Sequence, residues 1–474
     1  MNIEKYFVNN KFLAYPYHIF KKNNKKYVLS NAASTIFEID ETIEKILSLS
    51  GEEETNVKKE LEKLGDTEYI QQILKSLEDN FLIKTERNQV ALMTRYDIME
   101  DENESAISSV TLMLCQECNL RCTYCYGEGG EYHDRGKMTY EVGRKAIDKG
   151  FLYNKGGSKI SFVFFGGEPL LCFDKIQAFT EYALQQGEKY GKEVRFSITT
   201  NAILLNDNIA QFLKEHKFSI TVSIDGTEAS TNINRFYANK KGAYKDIIEG
   251  IKILQRNHVP FVVRGTITSK TLNVFENWKH LYNLGNLGAY FSPAVNMMKP
   301  QDFDIYYEQI IKMTDYYMEC LKKGNIREAL CLKNINNIMM KIHKGGVRVK
   351  NCGANSKMLA VDIHGKYYPC HRFVSCKECS TGSLDNNFNE TKYNEIMELV
   401  TLSNSKCSEC WALNLCGGGC PFENYAMTAR INEPYDVWCA TMKKIMEYIT
   451  QQYLSLSEEQ KEHLLNPTQE GEIR

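Results

Sequence analysis

The stretch Cys118-Asn119-Leu120-Arg121-Cys122-Thr123-Tyr124-Cys125 places three thiols in one short loop, separated by three residues and then by two. A four-iron cluster normally takes four cysteine ligands, and structural zinc also takes four. A loop that offers three therefore borrows a distant ligand or leaves one metal position open to a small molecule. Just before it, Val110–Leu114 is an apolar run of strand length, so the thiols follow a strand end.

Working outward, residues 109–345 alternate strand and helix patterns. Candidate strands are Val110–Leu114, Ile160–Phe165, Val194–Thr199, Ile220–Ile224, Phe261–Thr268 and Ala289–Ala294. Amphipathic patterns at Tyr140–Tyr153, Asp174–Tyr190, Asn208–His216 and Tyr244–His258 separate them. Such alternation predicts an α/β fold with a parallel sheet, its functional loops at the C-terminal strand ends. Residues 1–95 contain short strand runs at Tyr17–Lys21, Lys26–Leu29 and Thr35–Ile39. Helical patterns follow near Glu41–Leu49 and near Thr55–Asn80, the second broken by Gly65. Strands followed by helices in this order suggest a small winged-helix-like module. The polar run Met99–Ser105 reads as a linker, residues 350–440 as a cysteine-dense block dependent on metal, and residues 441–474 as a helical tail that ends charged and frayed.

A chain of 474 residues is long enough for two to three domains. Its net charge of −2 gives no electrostatic case for nucleic acid or an anionic membrane. The amino terminus lacks the basic start and apolar run of a secretory signal, and no apolar stretch reaches the ~18 residues of a membrane span. Sixteen cysteines, clustered at 115–125 and 352–439, point to thiolate metal ligands in a reducing cytoplasm rather than to disulfides. Cys115, Cys172, Cys320 and Cys331 lack a ligand pattern and read as small buried hydrophobes.

Further motifs sit at successive predicted strand ends. Phe165-Gly166-Gly167-Glu168-Pro169 ends the second strand, Thr199-Thr200-Asn201 the third, and Ser223-Ile224-Asp225-Gly226 the fourth, with Arg235 ten residues after Asp225. Together with the CxxxCxxC loop and its Tyr124, these resemble the radical S-adenosylmethionine enzymes. The resemblance implies a partial (β/α)6 barrel. It also implies a [4Fe-4S] cluster on Cys118, Cys122 and Cys125, with S-adenosylmethionine chelating the fourth iron and yielding a 5′-deoxyadenosyl radical. In that family Gly166, Gly167 and Glu168 would meet the methionine ammonium, the glycines by letting backbone approach the ligand. Thr200 would meet the ribose, Ser223 and Arg235 the carboxylate, and Tyr124 would lie beside the cofactor. One departure is Thr231-Asn232, where relatives often carry His-Asp.

The cysteine-dense block carries a longer match. Cys352, Gly365 and Cys370 are followed by Cys407-x2-Cys410-x5-Cys416-x3-Cys420 and then by Cys439. This resembles the SPASM domain of peptide-modifying radical enzymes, which implies two auxiliary [4Fe-4S] clusters. One would take Cys407, Cys410, Cys416 and Cys439. The other would take Cys352, Cys370 and Cys420, with a fourth position either open or closed by Cys376 or Cys379. An open iron there would be able to bind a thiolate from the substrate. Cys370 is followed by His371-Arg372, whereas anaerobic sulfatase maturases have an aspartate at the first of these positions.

The segments Thr111–Leu114, Tyr126–Tyr132 and Tyr368–Phe373 are most similar to thioether-forming maturases of sactipeptides and ranthipeptides. That resemblance implies a ribosomal precursor peptide as substrate, its leader held by the amino-terminal module as an added strand. It also implies a flavodoxin or ferredoxin as electron donor. Two alternatives are another radical modification (a carbon–carbon crosslink or side-chain oxidation) and, from the binding class, a zinc-dependent adaptor built on the paired cysteines.

Overall fold

The computed structural model describes residues 3–89, 107–285, 287–348, 350, 352–354 and 357–465. The Met99–Ser105 linker and the end of the tail lie outside the described residues. Strands β1 (Phe7–Val8) and β2 (Lys11–Phe12) form a small hairpin. A three-stranded antiparallel sheet follows, β3 (Tyr17–Lys22), β4 (Lys25–Ser30) and β5 (Thr35–Ile39). Helices Glu41–Ser48, Glu54–Leu61 and Thr67–Asp79 come next. Asp40 caps the first through the amide of Ile43 and Asp66 the third through that of Tyr69, which is why the long helical pattern splits beside Gly65. Ile46, Leu47, Val57, Leu61, Ile70 and Leu74 close a core of their own against β1, β2 and β4.

The central sheet contains six parallel strands in sequential order: β6 (Ser109–Cys115), β7 (Lys159–Gly166), β8 (Glu193–Thr200), β9 (Ser219–Ser223), β10 (Phe261–Ile267) and β11 (Ala289–Pro293). Helices Tyr140–Tyr153, Phe173–Tyr190, Asp207–Glu215, Tyr244–Arg256 and Val274–Tyr282 connect or flank them. Fully covered parallel strands read as unbroken apolar runs, but β7 to β11 alternate. Ile160, Phe162, Phe164, Phe196, Ile198, Ile220, Val222, Phe261, Val263 and Phe291 are buried. Ser197, Thr199, Thr221, Ser223, Thr266 and Ser292 are half-buried, and Arg264 is exposed. One face thus packs in the core while the other is a polar, partly open cleft.

The block after residue 350 differs from its expected form. Strand β12 (Met358–Val361) pairs parallel with β6, and β13 (Lys366–Tyr368), β14 (Gly382–Ser383) and β15 (Asn387–Phe388) continue the same sheet antiparallel. Leu359, Val361, Ile363 and Tyr367 join the main core, so this half of the block is held by sheet and packing as well as by cysteines. The tail begins as a helix, and its end lies outside the described residues. Helix Asp436–Tyr453 starts before Cys439, and its Ile445, Met446 and Ile449 are buried in the main core.

Candidate active site and metal centres

The Cys118–Cys125 loop leaves β6 and is gripped from two sides. On one, the amide of Gly167 donates to the Cys115 carbonyl at 2.7 Å and that of Glu168 to the Glu117 carbonyl at 2.9 Å. On the other, the Arg121 amide donates to the Phe236 carbonyl at 2.7 Å and the Thr123 amide to the Asn234 carbonyl at 2.9 Å. Thr123 Oγ1 adds a 2.7 Å bond to Asn234 Oδ1, and Arg121 Nη1 ties back to the carbonyls of Cys118 and Leu120. The glycines are also required by the protein itself. A methyl group at Gly166 would stand 2.2 Å from the Cys115 oxygen, and one at Gly167 2.2 Å from the Glu117 oxygen. The close approach that demands glycine is to the cysteine loop itself.

Cys118, Cys122 and Cys125 share one electrostatic neighbourhood. Burial pushes the Cys118 thiol up to about 12, with Glu168 and the two other thiols adding to it. Burial pushes Cys122 up to about 11 against the opposing pull of Arg235. Bare Cys118 and Cys122 thiols stay protonated at neutral pH, so metal binding there must displace protons.

Arg235 lies against this loop. Its side chain is 8% exposed, its Nε is 3.2 Å from the fully buried Asp225 carboxylate, and its guanidinium lies 5.3 Å from the Tyr124 ring centroid. The Nε–carboxylate approach lacks hydrogen-bond alignment, so it is an ion pair by charge and distance. Asp225 is held further by the Tyr124 hydroxyl, at 2.7 and 2.9 Å from its two oxygens, and by the Thr266 amide at 2.9 Å. Tyr124 therefore spends its hydroxyl on Asp225. Ser223 is half-buried at the end of β9 and faces the cleft side.

Glu168 and Thr200, both expected at the cofactor, are engaged with the protein. Glu168 is 1% exposed and Thr200 2% exposed. The Glu168 carboxylate accepts from Thr200 Oγ1 at 2.7 Å, from the Asn201 amide at 2.8 Å and from the Leu170 amide at 3.1 Å. Thr200 Oγ1 also accepts from the Ala202 amide, so its hydroxyl joins the ends of β7 and β8. Burial raises the Glu168 carboxyl to about 7 against the lowering by these donors.

Among the later cysteines, several are electrostatic neighbours of one another. Cys370 feels Cys420 and Cys352, while Cys439 feels Cys407, Cys416 and Cys410. Cys407, Cys410, Cys416 and Cys439 line one cavity with about 650 Å³ of empty space, open solvent at its mouth included. Gly417, Gly418 and Gly419 run in the left-handed region at φ +77°, +74° and +78°. That turn aims the Gly418 and Gly419 amides at Cys416 and opposes the rise that burial imposes on its thiol. Cys376 and Cys379 are joined to each other by a disulfide. Among the described residues no three His, Cys, Asp or Glu side chains converge closely enough to hold a single metal ion.

The four patternless cysteines are buried: Cys115, Cys172, Cys320 and Cys331 are 0%, 1%, 2% and 4% exposed. Behind the loop the Cys115 thiol donates to the Glu117 carbonyl at 3.4 Å and the Cys172 thiol to the Leu114 carbonyl at 3.8 Å. Sequence reasoning missed the buried Asp225 as the partner of Arg235, although it stands in the quoted Ser223–Gly226 motif. It also missed how the amino-terminal module docks. His18 stacks on Trp411 at 4.2 Å between ring centroids and meets Glu447 at 2.9 Å. Asn414 donates to the Asn31 carbonyl, so the module rests on the cysteine loop of the last block.

Residues 112–281 match the model of the Radical SAM superfamily. This part of the chain is a radical SAM domain. The chain is 25% identical over 64% of its length to a cysteine-type anaerobic sulfatase-maturating enzyme of Clostridium novyi, covering 84% of that protein. It is 21% identical over 84% of its length to the radical SAM cyclopropyl synthase TigE of Paramaledivibacter caminithermalis, covering 87% of it. Its fold is similar to that of native anSMEcpe with bound AdoMet and Cp18Cys peptide, with a TM-score of 0.63 and 22% identity. That likeness covers 73% of this chain and 98% of the other. The Cys118, Cys122 and Cys125 set suits the [4Fe-4S] cluster of such a domain, with three protein thiols and one position left for S-adenosylmethionine. Among the described residues no helix is long and apolar enough to cross a membrane.

Proposed function

We propose that the chain is a radical S-adenosylmethionine maturase that joins a cysteine sulfur to carbon in a ribosomal precursor peptide. The observation that carries this reading is the grouping of the cysteines: Cys118, Cys122 and Cys125 at the open cleft, and two further groups beside it. When bound, the first cluster and S-adenosylmethionine supply a 5′-deoxyadenosyl radical able to take a hydrogen from the peptide. The chain's own residues do the positioning. Asp225 and Tyr124 hold Arg235 beside the loop, and Ser223 with Arg235 would receive the carboxylate of S-adenosylmethionine. Gly166, Gly167 and Glu168 would meet its ammonium with carbonyls and the remaining lone pairs of the carboxylate. Thr200 would meet the ribose through the one lone pair its hydroxyl keeps beside the bonds to Glu168 and the Ala202 amide. Cys352, Cys370 and Cys420 would hold one auxiliary [4Fe-4S] cluster and Cys407, Cys410, Cys416 and Cys439 the other. With Cys376 and Cys379 closed on each other, the first of these keeps a position for a sulfur from outside the chain. Residues 3–89 would hold the leader peptide, and a flavodoxin or ferredoxin would deliver electrons.

The names of the relatives favour a second reading, another radical modification of a peptide, such as side-chain oxidation or ring formation. Against the sulfatase type stands His371 after Cys370, where those enzymes carry aspartate. One experiment separates the readings. The anaerobically reconstituted chain is supplied with S-adenosylmethionine, a reductant and the precursor peptide encoded beside its gene. A thioether maturase holds about twelve irons, releases 5′-deoxyadenosine, and removes two hydrogens and one alkylatable thiol per bridge. Peptide modified with its thiols intact and no sulfur–carbon bond would sink the thioether reading. Zinc in place of iron would sink the enzyme.

A further inference from the structure

Arg372 contacts both a candidate ligand of the last block, Cys420, and the residue after the radical cluster loop, Tyr126. Its Nη1 donates to Cys420 Sγ at 3.2 Å and to Glu423 Oε1 at 2.7 Å. The guanidinium lies 4.9 Å from the ring centroid of Tyr126, the residue directly after Cys125, and 5.5 Å from that of Phe422. The Arg372 and Glu423 side chains are 21% and 14% exposed, so the group acts largely out of water. Held by a carboxylate on one side and two rings on the other, it is oriented toward the sulfur rather than free to rotate away.

We propose that Arg372 is a positioning residue that raises the reduction potential of the auxiliary cluster ligated by Cys352, Cys370 and Cys420, with Glu423 limiting that rise. The inference rests on the reading that these thiols hold a cluster. Reduction adds one electron from a solution donor to the cluster and breaks no bond. The reduced form carries one more negative charge, spread partly over its thiolates. A cationic donor at a ligand sulfur stabilises that form more than the oxidised one, and hydrogen bonds to sulfur are among the known determinants of cluster potential. Glu423 is a fixed negative charge behind the same guanidinium and works in the opposite direction. Lysine would keep the charge but not the planar guanidinium that lies against Tyr126 and Phe422 and sets the direction of Nη1.

The test is a potentiometric titration of the intact, anaerobically reconstituted chain, with dithionite as reductant and electron paramagnetic resonance as readout. Arg372→Met should shift one auxiliary couple to lower potential, and Arg372→Lys should shift it less. Glu423→Gln should shift the same couple upward, and the couple of the Cys407, Cys410, Cys416 and Cys439 cluster should stay in place. A merely structural role would not produce opposite shifts in one couple. Unmoved couples in every variant, or Arg372→Met and Glu423→Gln moving the potential in the same direction, overturn the proposal. If Arg372→Met cannot hold iron, Glu423→Gln decides alone, and no upward shift overturns it. If the unsubstituted chain binds iron for the radical cluster only, the auxiliary-cluster reading fails and this inference with it. The iron count tells that failure from the others.

Discussion

The loop of Cys118–Cys125 and the loop of Cys407–Cys420 both gather thiols, but they are held differently. The first is stitched by backbone hydrogen bonds to β6, to the end of β7 and to residues 234–236. The second contains the short helix Leu413–Cys416 and the glycine turn after it, and is held mainly by side chains: Ala412 and Leu415 in the main core, Lys341 on the Leu415 carbonyl, and Trp411 and Asn414 against the amino-terminal module. Backbone clamps persist without metal, whereas a loop poor in regular structure draws its order from ligands and a few side-chain contacts. The first loop is therefore clamped by the fold itself, and on the proposed reading the second would be completed by a metal.

The sharpest way to break this comparison is to remove one thiol from each loop. Cys118→Ala should abolish 5′-deoxyadenosine release while leaving amide-exchange protection across 115–125 nearly unchanged. Cys416→Ala should lose about four irons and expose 407–420 to fast exchange. Equal loss of protection in both loops would show that neither is preformed. A smaller effect is expected from Asp225→Asn, which leaves Arg235 buried without its counter-charge. Breaking a buried pair costs about 3–5 kcal/mol, read as a lower chemical-denaturation midpoint of the iron-free chain. Gly167→Ala drives a methyl group into the Glu117 carbonyl and should cost about 1–3 kcal/mol in the same assay. An unchanged midpoint would mean that the β7 strap does not clamp the loop.

The pH dependence should come from Glu168, whose carboxyl is raised from 4.5 to about 7 by burial. Between those values the folded chain binds more protons than the unfolded one, so this group's stabilisation is full below the lower value and falls as pH rises to the higher. The loss is of order 1–3 kcal/mol. Glu168→Gln should flatten that part of the stability-versus-pH curve relative to the unsubstituted chain, and a parallel curve would remove Glu168 as the cause. The smallest expected change is His18→Ala, which loses the stack on Trp411, about 0.5–1.5 kcal/mol. It should appear as faster exchange in β3 and in 407–420 together, and no change in either would separate the module from the cysteine loop.

The strands of the central sheet were legible because alternation of buried and polar residues is written locally, and β6 to β11 lie within a few residues of their expected positions. Cysteine spacing was legible for the same reason, together with the family resemblance that divided the thiols between clusters. The extension of the sheet through β12 was not, since Met358–Val361 is too short to announce a partner more than two hundred residues earlier. The close approach of Gly167 to the Glu117 carbonyl was not legible either, because sequence records the need for a small residue without saying what approaches it.

By itself the sequence determined the chemistry on offer: thiols at ligand spacing, a parallel β/α sheet and glycines where backbone must come close. These follow from residue type and short-range periodicity. Only the tertiary structure decided which polar groups remain free to act. Glu168 and Thr200 satisfy one another, Tyr124 is bound to Asp225, and Arg372 is turned onto Cys420. A buried donor or acceptor takes whichever partner the fold brings within reach, and that choice is made by residues distant along the chain.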